Sequence, residues 1–551
     1  MEYFLKYNEF KLLKNYILKD PICDWFEIQE YRGDNSYQKD KPSYYKEYII
    51  KESQKYKENV LQEIRSLSKL SIPLETSISD TKDKLINNYP LILQGKLLDQ
   101  RGLYVHCDII IHYQLFRRIF PLINNIPFHL LCKRSDYLLI NISYSTLHFK
   151  IDLKDVNNDG VILYKKCGLY AFRDAVNDIL GKKLNCFLLG KEYYYKKTLL
   201  PKKEFISHIT FEQNIIETFY NAFNWLNTIK KEDNLMNISP KPSHFELFPN
   251  MNYKDSDWET EKMKLANKIK EITLVWNISY DERCEFLNKG IYCWDDPKLL
   301  KELKESKKKH IQERMIHMNQ QDDILIYPRK NISHDFHQIL NQTEYDIYFD
   351  VESFLSTDEK QNLFTDYTAP KEPILGILGL IFHNQFYEYT LYQFSLDQED
   401  KIVKAFVDRL WRIGKGLEKV NIYHWGHAEY NYIQYMKKMY PQYKFPEYQL
   451  INVLDYFRME PIIVQGVFKF GLKSIGKSLY KNGLIQTTWD ENDNGLDSMI
   501  QFKEICKNHS RNIPLKRYTE INDIIEYNRI DCQVLYEIVD LLRKKYKRES
   551  F

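Results

Sequence analysis

Residues 345–352 restrict the fold of their region more than any other stretch of this sequence. Apolar and polar side chains alternate along the segment, and a period of two is typical of a β-strand. In such a strand Asp350 and Glu352 point to one face, because successive side chains alternate. Phe349 and Val351 point to the opposite face and are apolar. We therefore expect a sheet with one buried face and two neighbouring carboxylates on the other.

Paired carboxylates provide the hard oxygen ligands that Mg²⁺ and Mn²⁺ prefer. Hydrolysis of a phosphodiester requires a positioned water molecule and stabilised charge on the attacking and leaving oxygens, and two such ions about 3.5–4 Å apart provide both. The pair alone is weak support for a metal site, since strand ends often carry solvated carboxylates. The prediction therefore depends on further acidic residues elsewhere in the chain.

Three other acidic residues are candidates for the same site. Tyr527 and Asp531 are four residues apart in a predicted final helix and share a face, so the phenol would orient water while the carboxylate binds metal. Glu429 follows a predicted buried strand at 420–425. Asp455 follows a separate apolar run and competes with Glu429 for the same role.

Two histidines, His424 and His427, lie at the end of the strand that precedes Glu429. Imidazole is a common metal ligand, but single histidines near a strand end more often pack or contact substrate. Upstream of this strand, the apolar runs 374–382 and 386–394 are joined by His383, Asn384 and Gln385, which predicts a hairpin.

The chain of 551 residues is too long for one hydrophobic core, because single cores stop growing at roughly 250–300 residues. We expect an α/β module at 1–235, a linker and helical module at 236–340, and an α/β domain at 341–551. The first boundary is placed where Pro240, Pro242 and Pro249 interrupt any helix. A hydrophobic fraction of 44% with 28% charged residues is ordinary for folded domains.

Charge and cysteine content exclude several classes of protein. The formal charge of +3 results from 79 basic and 76 acidic residues, so a nucleic-acid surface would have to be a local groove. The nine cysteines include no C-x-x-C pair, which argues against zinc ribbons and favours a reducing compartment. We expect a soluble intracellular protein of the cytoplasm or nucleus, without membrane contact, because no signal peptide or 18-residue apolar stretch occurs. The 43 tyrosines, with abundant Lys, Ile and Asn, indicate an A+T-rich genome such as that of a large DNA virus, a protist or a low-GC bacterium.

The candidate residues lie in segments that together resemble a known family. These segments are 349–352, 423–429, 470–475 and 527–532. In this order they resemble the DEDD exonuclease superfamily, and most closely the ribonuclease-H-like domain found at the C-terminus of RecB-family nucleases. The resemblance implies a ribonuclease-H-like α/β domain with a mixed sheet and a requirement for Mg²⁺ or Mn²⁺.

By this resemblance Asp350, Glu352, Glu429 and Asp531 are the metal-binding acids, and Tyr527 marks the tyrosine subclass. The third acid of the family is usually Asp, so Glu429 departs from the pattern by one methylene. The family sheet would run the strand before Glu429 beside the strand of Asp350, which favours Glu429 over Asp455. Lys473, beside the glycine turn, would suit a phosphate contact or be a solvated lysine.

The first region resembles the PD-(D/E)xK fold of RecB-like nucleases, through residues 103–111 and 137–143. Asp108 matches the first catalytic position of that family. Asn141 and Ser143 occupy the next two, where the family has an acid and a lysine, and neither carries the required charge. We therefore expect a catalytically silent module. A competing register at Asp152-Leu153-Lys154 restores Asp-x-Lys.

The leading hypothesis is a metal-dependent exonuclease that degrades nucleic acid from 3′ to 5′, with DNA rather than RNA as substrate. A helicase or another repair or defence protein would be a partner consistent with the resemblance. Two alternatives remain open at this point: a non-catalytic nucleic-acid-binding or scaffold protein, and a dual nuclease with an active N-terminal site.

Overall fold

A computed structural model describes residues 8–128, 133, 136–254, 256–321, 324–329, 332, 336–354, 374–393, 396–416, 418–490, 497, 500–502, 504–505 and 513–546. These residues form two compact units. The N-terminal unit contains the described residues up to Glu271 except Ser43–Tyr45, and the C-terminal unit contains Ser43–Tyr45 and the described residues from Ile272 onward. Within the described ranges, no helix is long and apolar enough to cross a membrane.

The N-terminal unit combines strands with helices of very different length. Its strands are β1 (Asn8–Glu9), β2 (Leu91–Leu98), β3 (Leu103–His112), β4 (Tyr137–His148), β5 (Asn185–Tyr195), β6 (Thr198–Leu200) and β7 (Ser207–His208). Its helices are α1 (Lys14–Ile17), α2 (Ile22–Tyr31), α3 (Tyr44–Ser68), α4 (Ile78–Ile86), α5 (Tyr113–Ile119), α6 (Gly160–Leu180), α7 (Gln213–Glu232) and α8 (Glu259–Ile269).

The N-terminal sheet is mixed. In the part of the chain that the structure describes, its main path runs β1-β3-β4-β5-β6, with β2 paired to β3 and β7 paired to β5. β4 and β5 are parallel neighbours, whereas β3 pairs antiparallel with both β2 and β4. β3 is buried along most of its length because apolar clusters cover both faces of the sheet, one of them including Cys107 and Ile110 and the other Ile109 and Ile111.

In its described residues, the C-terminal unit contains a five-stranded sheet and a separate pair of short strands. Its strands are β8 (Ile326–Tyr327), β9 (Asp346–Phe354), β10 (Ile374–Phe382), β11 (Gln385–Thr390), β12 (Val420–His424), β13 (Tyr448–Asn452) and β14 (Ile463–Val464). Its helices are α9 (Tyr280–Asn288), α10 (Pro297–Glu302), α11 (Lys307–Asn319), α12 (His337–Leu340), α13 (Leu396–Ile413), α14 (Ala428–Met439), α15 (Val453–Met459), α16 (Leu472–Lys481) and α17 (Thr519–Tyr546).

Among the described residues the C-terminal sheet has the order β11-β10-β9-β12-β13. The first three strands are antiparallel, and β9, β12 and β13 run parallel to one another. The β10–β11 hairpin turns at His383 and Asn384, whose φ values are 48° and 62°. Positive φ at both central residues is typical of two-residue turns that join antiparallel strands. Helices α13 and α14 pack on one face of this sheet, and α16 and α17 pack on the other.

Helix α17 is fixed to the sheet by a buried arginine near its end. Arg543 Nη2 donates to Asp346 Oδ2 at 2.6 Å and to the Tyr423 hydroxyl at 2.9 Å, and Nη1 donates to the Tyr348 hydroxyl at 2.9 Å. These acceptors lie on β9 and β12, so one guanidinium joins the helix to two neighbouring strands. A planar guanidinium with several fixed donors suits this role better than a lysine.

The α/β class that the sequence predicts is confirmed. The alternation around Asp350 is also as expected, since Phe349 and Val351 lie in the apolar cluster on one face while Tyr348 lies in the cluster on the other. One predicted strand is shorter in the structure, because the run 420–425 ends at His424. Residues 236–340, predicted as a linker and helical module, are divided between the two units at Glu271, and the three-part organisation stays a prediction.

Candidate functional site

Three carboxylates of the C-terminal unit converge. Asp350 and Glu352 lie on β9, and Asp531 lies on α17, which packs over β9 and β10. One oxygen from each of the three side chains lies within 4.8 Å of the others. The three side chains are half-buried, so the group is enclosed but still accessible. We call these residues the acid triad.

A glycine allows α17 to approach the strand that carries the triad. Gly379 lies directly opposite Asp350 in the β9–β10 pair. A Cβ atom at position 379 would lie 1.7 Å from Asn528 Oδ1, far inside van der Waals contact. Because Gly379 has no side chain, the buried Asn528 reaches the sheet and its Nδ2 donates to Asp350 Oδ2 at 2.7 Å. Cys532, one turn later, donates its thiol to the Gly379 carbonyl at 3.4 Å.

The third triad member is oriented by a tryptophan. Trp489 is buried, and its Nε1 donates to Asp531 Oδ1 at 2.8 Å. The Lys473 ammonium lies 6.0 Å from the centre of the Trp489 ring and 5.5 Å from that of Tyr527, one turn before Asp531. The predicted residues Lys473 and Tyr527 therefore lie next to each other, and Lys473 also lies near Trp489, which contacts Asp531.

Burial and mutual repulsion disfavour ionisation of two triad members, Asp350 and Glu352. Burial raises the pKa of Asp350 well above its ordinary value, and the charges of Asp531, Glu352 and Glu429 raise it further. Burial likewise raises the pKa of Glu352, with Asp531 and Glu429 acting in the same direction. A divalent cation would relieve this repulsion, and carboxylate oxygens are the ligands that Mg²⁺ and Mn²⁺ prefer. The residues present therefore fit such an ion.

Glu429 lies beside the triad but outside the 4.8 Å group. It is in the first turn of α14, directly after β12, which runs parallel to β9 as expected. Its Oε2 is 3.6 Å from His424 Nδ1, too long for a hydrogen bond, and neither atom has a hydrogen-bond partner among the described residues. Both side chains are buried. Glu429 thus contributes negative charge to the site and has an oxygen that a ligand would satisfy.

The competing acid, Asp455, has a different environment. It lies on α15, and its Oδ2 accepts a hydrogen bond from Asn452 Nδ2 at 2.8 Å. Asn452 Oδ1 accepts in turn from the Gly426 backbone amide at 2.9 Å. Asp455 therefore supports the corner between β13 and the turn after β12. The other histidine considered, His427, is exposed at the start of α14.

The N-terminal acid, Asp108, is already neutralised. It is buried on β3, its Oδ2 accepts from the Ile142 backbone amide at 2.8 Å, and its Oδ1 pairs with the Lys57 ammonium. Burial opposes its ionisation, but Lys57, His106 and Lys165 together lower its pKa below the ordinary value. A metal ion would have to displace the Lys57 ammonium, so these residues do not fit a metal site.

Asn141 and Ser143, where the sequence resemblance would place an acid and a lysine, are both buried in β4. Asn141 Oδ1 accepts from the Asp108 backbone amide at 3.0 Å, which ties β4 to β3. Ser143 is fully buried in β4. In the competing register, Asp152 is exposed in a turn beyond the end of β4, where its carboxylate accepts from the Lys154 amide at 3.1 Å.

Sequence reasoning missed Asn528, Trp489 and Gly379. Asn528 precedes Asp531 by three residues and so shares its helix face, a signal that could have identified it. Gly379 and Trp489 gave no such signal, because their roles depend on contacts with residues 149 and 42 positions away.

Comparison with known proteins identifies no relative: no protein-family model matches the chain, and neither the curated proteins nor the solved structures include one similar to it.

Proposed function

We propose that the C-terminal unit hydrolyses nucleic-acid phosphodiesters with Mg²⁺ or Mn²⁺ bound at the acid triad. The observation that carries this proposal is the convergence of Asp350, Glu352 and Asp531 from a strand and a distant helix. Acids scattered on a surface need no support, whereas each end of this group is oriented by a buried donor, Asn528 or Trp489. Such support is typical of residues that hold metal ions.

Bound divalent ions would supply a nucleophilic water of lowered pKa and would stabilise charge on the attacking and leaving oxygens. The triad would hold them, and Glu429 would complete the set from the start of α14. Asn528 and Trp489 would keep the carboxylates of Asp350 and Asp531 in fixed orientations. Each would therefore act through the acid that it contacts.

Two further side chains have the chemistry to act on the substrate. The phenol of Tyr527, one turn before Asp531, would hydrogen-bond to the attacking water or to the phosphate. The ammonium of Lys473, close to the Tyr527 ring, would offset the charge of the phosphodiester backbone. Lys473 would thus contribute to affinity and Tyr527 to the chemical step.

The family resemblance extends the proposal to an exonuclease that works from 3′ to 5′ on DNA. In the same proposal the N-terminal unit does not cleave, because Asp108 is paired with Lys57 and because Asn141 and Ser143, at the positions of the family's second acid and lysine, are neutral. A helicase or another repair or defence protein would be its partner. The competing proposal of a non-catalytic scaffold predicts no metal-dependent degradation at all.

The test is digestion of single- and double-stranded DNA and RNA, labelled at the 5′ or the 3′ end, with Mg²⁺, Mn²⁺ or EDTA. We expect stepwise shortening of 5′-labelled DNA, immediate release of the 3′ label, and no reaction in EDTA. Asp531→Asn should abolish the reaction, because it removes one triad ligand.

Asp540→Asn is the matched control, since Asp540 lies on the same helix and pairs with Lys544. It should retain full activity. Degradation that survives Asp531→Asn, or that proceeds equally in EDTA, would contradict the proposed function.

A further inference from the structure

A second site lies in the N-terminal unit, around Asp108. A cavity of about 180 Å³ opens beside this residue, and its lining includes Lys57, Lys165, Asp108 and His106 together with the phenols of Tyr144 and Tyr164. The cavity is smaller than the roughly 300–1,000 Å³ of sites for drug-sized ligands, so it suits a single small group rather than a whole nucleotide. We call it the Asp108 cavity.

The Asp108 cavity has more positive than negative charge. Two ammonium groups, Lys57 and Lys165, face one carboxylate, which leaves one positive charge when His106 is neutral. Burial lowers the pKa of His106, which favours its neutral form. Burial also lowers the pKa of Lys165, but the charge of Asp108 acts in the opposite direction and favours the ammonium form. An excess charge in an enclosed site is costly without a counter-charge, so an anion would stabilise it.

The lysines are held in position by the backbone and by Asp108. Lys165 Nζ donates to the carbonyl of Ile142 on β4 at 2.8 Å, and the amide of the same residue donates to Asp108 on β3. Lys57 pairs with the other oxygen of Asp108. An ammonium has three N–H donors, so each lysine can make these contacts and still donate to a ligand. The site is therefore preorganised for an acceptor-rich anion.

We propose that the Asp108 cavity binds a phosphate group without a metal ion, with the ammonium groups of Lys57 and Lys165 as its donors. Lys57 takes the place beside Asp108 that a divalent cation would need. The ligand is inorganic phosphate or the terminal phosphate of a nucleotide or nucleic-acid strand, since all three present the same oxygens. This inference is independent of the function proposed for the acid triad.

The test uses the full chain with Asp350→Asn in EDTA, so that the acid triad binds no metal and degrades no ligand. Calorimetric titrations with inorganic phosphate, a nucleoside 5′-monophosphate, and one oligonucleotide in 5′-phosphorylated and 5′-hydroxyl forms distinguish the sources. We expect saturable binding of phosphate-bearing ligands and weaker binding of the 5′-hydroxyl strand. Saturation by inorganic phosphate alone would assign the cavity to the free anion.

Variants in the same background locate the binding. Lys165→Met and Lys57→Met should each weaken phosphate binding about 10-fold or more, because each loses a charged hydrogen bond. Asp108→Asn should tighten binding, since it removes the opposing charge. Lys182→Met is the matched control, because Lys182 follows α6, the helix that carries Lys165, and pairs with Asp136 outside the cavity. It should bind as the parent does.

Two results would overturn the proposal. One is the absence of saturable binding by any phosphate-bearing ligand. The other is equal affinity in the parent, Lys165→Met and Lys57→Met, with circular dichroism confirming that both variants are folded. Either result would mean that the lysines only neutralise Asp108.

Discussion

Asp108 and Asp350 are both aspartates in the middle of a sheet strand, but their surroundings differ in charge. Asp108 lies near Lys57 and Lys165 and accepts a hydrogen bond from a backbone amide, and the charges of the two lysines lower its pKa. Asp350 accepts a hydrogen bond from a neutral amide, that of Asn528, and its charged neighbours are carboxylates that raise its pKa. At Asp108 the lysine side chains supply the positive charge, whereas the charged groups that raise the pKa of Asp350 are other carboxylates.

This difference is the basis for proposing that the C-terminal sheet, and not the N-terminal sheet, binds a metal ion. At Asp108 the protein supplies the counter-charge itself, so a divalent cation would have to displace Lys57. At the acid triad, burial and the neighbouring carboxylates disfavour deprotonation of Asp350 and Glu352, and a divalent cation would offset both effects. An Asp in a strand is thus not a metal site by its position alone, because the charges around it decide.

Replacing the two aspartates should break the comparison most directly. Asp350→Ala should reduce metal-dependent degradation on the order of 10³-fold, since a ligand of the catalytic ions is lost. Asp108→Ala should leave turnover nearly unchanged. The check is the initial rate of release of labelled nucleotide from DNA. A large loss of turnover in Asp108→Ala, with DNA binding intact, would mean that the N-terminal site is active.

The fourth acid is tested by Glu429→Gln and Asp455→Asn. Glu429 adds negative charge beside the triad, so Glu429→Gln should lower the rate of degradation on the order of 10²-fold or more. Added Mn²⁺ should restore part of that rate. Asp455 only holds Asn452, so its variant should be slowed less than about 10-fold. Rates over a Mn²⁺ titration give the order, and the reverse order would make Asp455 the ligand.

Gly379→Ala probes the close approach of α17 to β10. The added methyl group would collide with Asn528 Oδ1, displace the amide from Asp350 and lower activity about 10–100-fold. The overpacking should also cost about 1–3 kcal/mol of stability. Gly471→Ala is the control, because its Cβ would come no nearer than 3.7 Å to Ser474 Oγ. Equal rates and melting temperatures in both variants would contradict this role.

Trp489→Phe removes the donor to Asp531 while keeping an aromatic ring. We expect about 10-fold lower activity and a higher Mn²⁺ concentration at half-maximal rate, because Asp531 is less well oriented. Trp411→Phe is the matched control, since Trp411 donates to the Lys444 carbonyl on the surface. The same Mn²⁺ dependence in both variants would exclude a positioning role for Trp489.

The smallest expected effect is on stability in the absence of metal. The pKa of Glu352 is raised in the folded state, so the folded protein binds a proton that the unfolded chain, with a pKa near about 4.3, has released. This stabilisation is present at low pH and is lost as pH rises through the raised pKa. The melting temperature in EDTA should therefore fall by a few degrees between pH 5 and 8, and Glu352→Gln should reduce this fall. An unchanged pH profile in Glu352→Gln, compared with Glu418→Gln on the surface, would contradict the assignment.

The sequence was sufficient for features that depend on local pattern. The period of two placed Asp350 and Glu352 on one face, and helical spacing placed Tyr527 and Asp531 on another. It could not indicate that Lys57 would neutralise Asp108, because that pair joins a helix to a strand 51 residues later. The role of Gly379 could not be predicted either, because the need for a residue without a Cβ atom arises only from the packing of α17 on β10.

The central claim, that the acid triad and not the Asp108 site binds divalent metal, is tested most directly by calorimetric titration of Mn²⁺. The parent protein, Asp350→Asn and Asp108→Asn would be compared at neutral pH after removal of metal. We expect saturable Mn²⁺ binding in the parent and in Asp108→Asn, and its loss in Asp350→Asn. Binding that persists in Asp350→Asn but disappears in Asp108→Asn would mean that the metal binds at Asp108 instead.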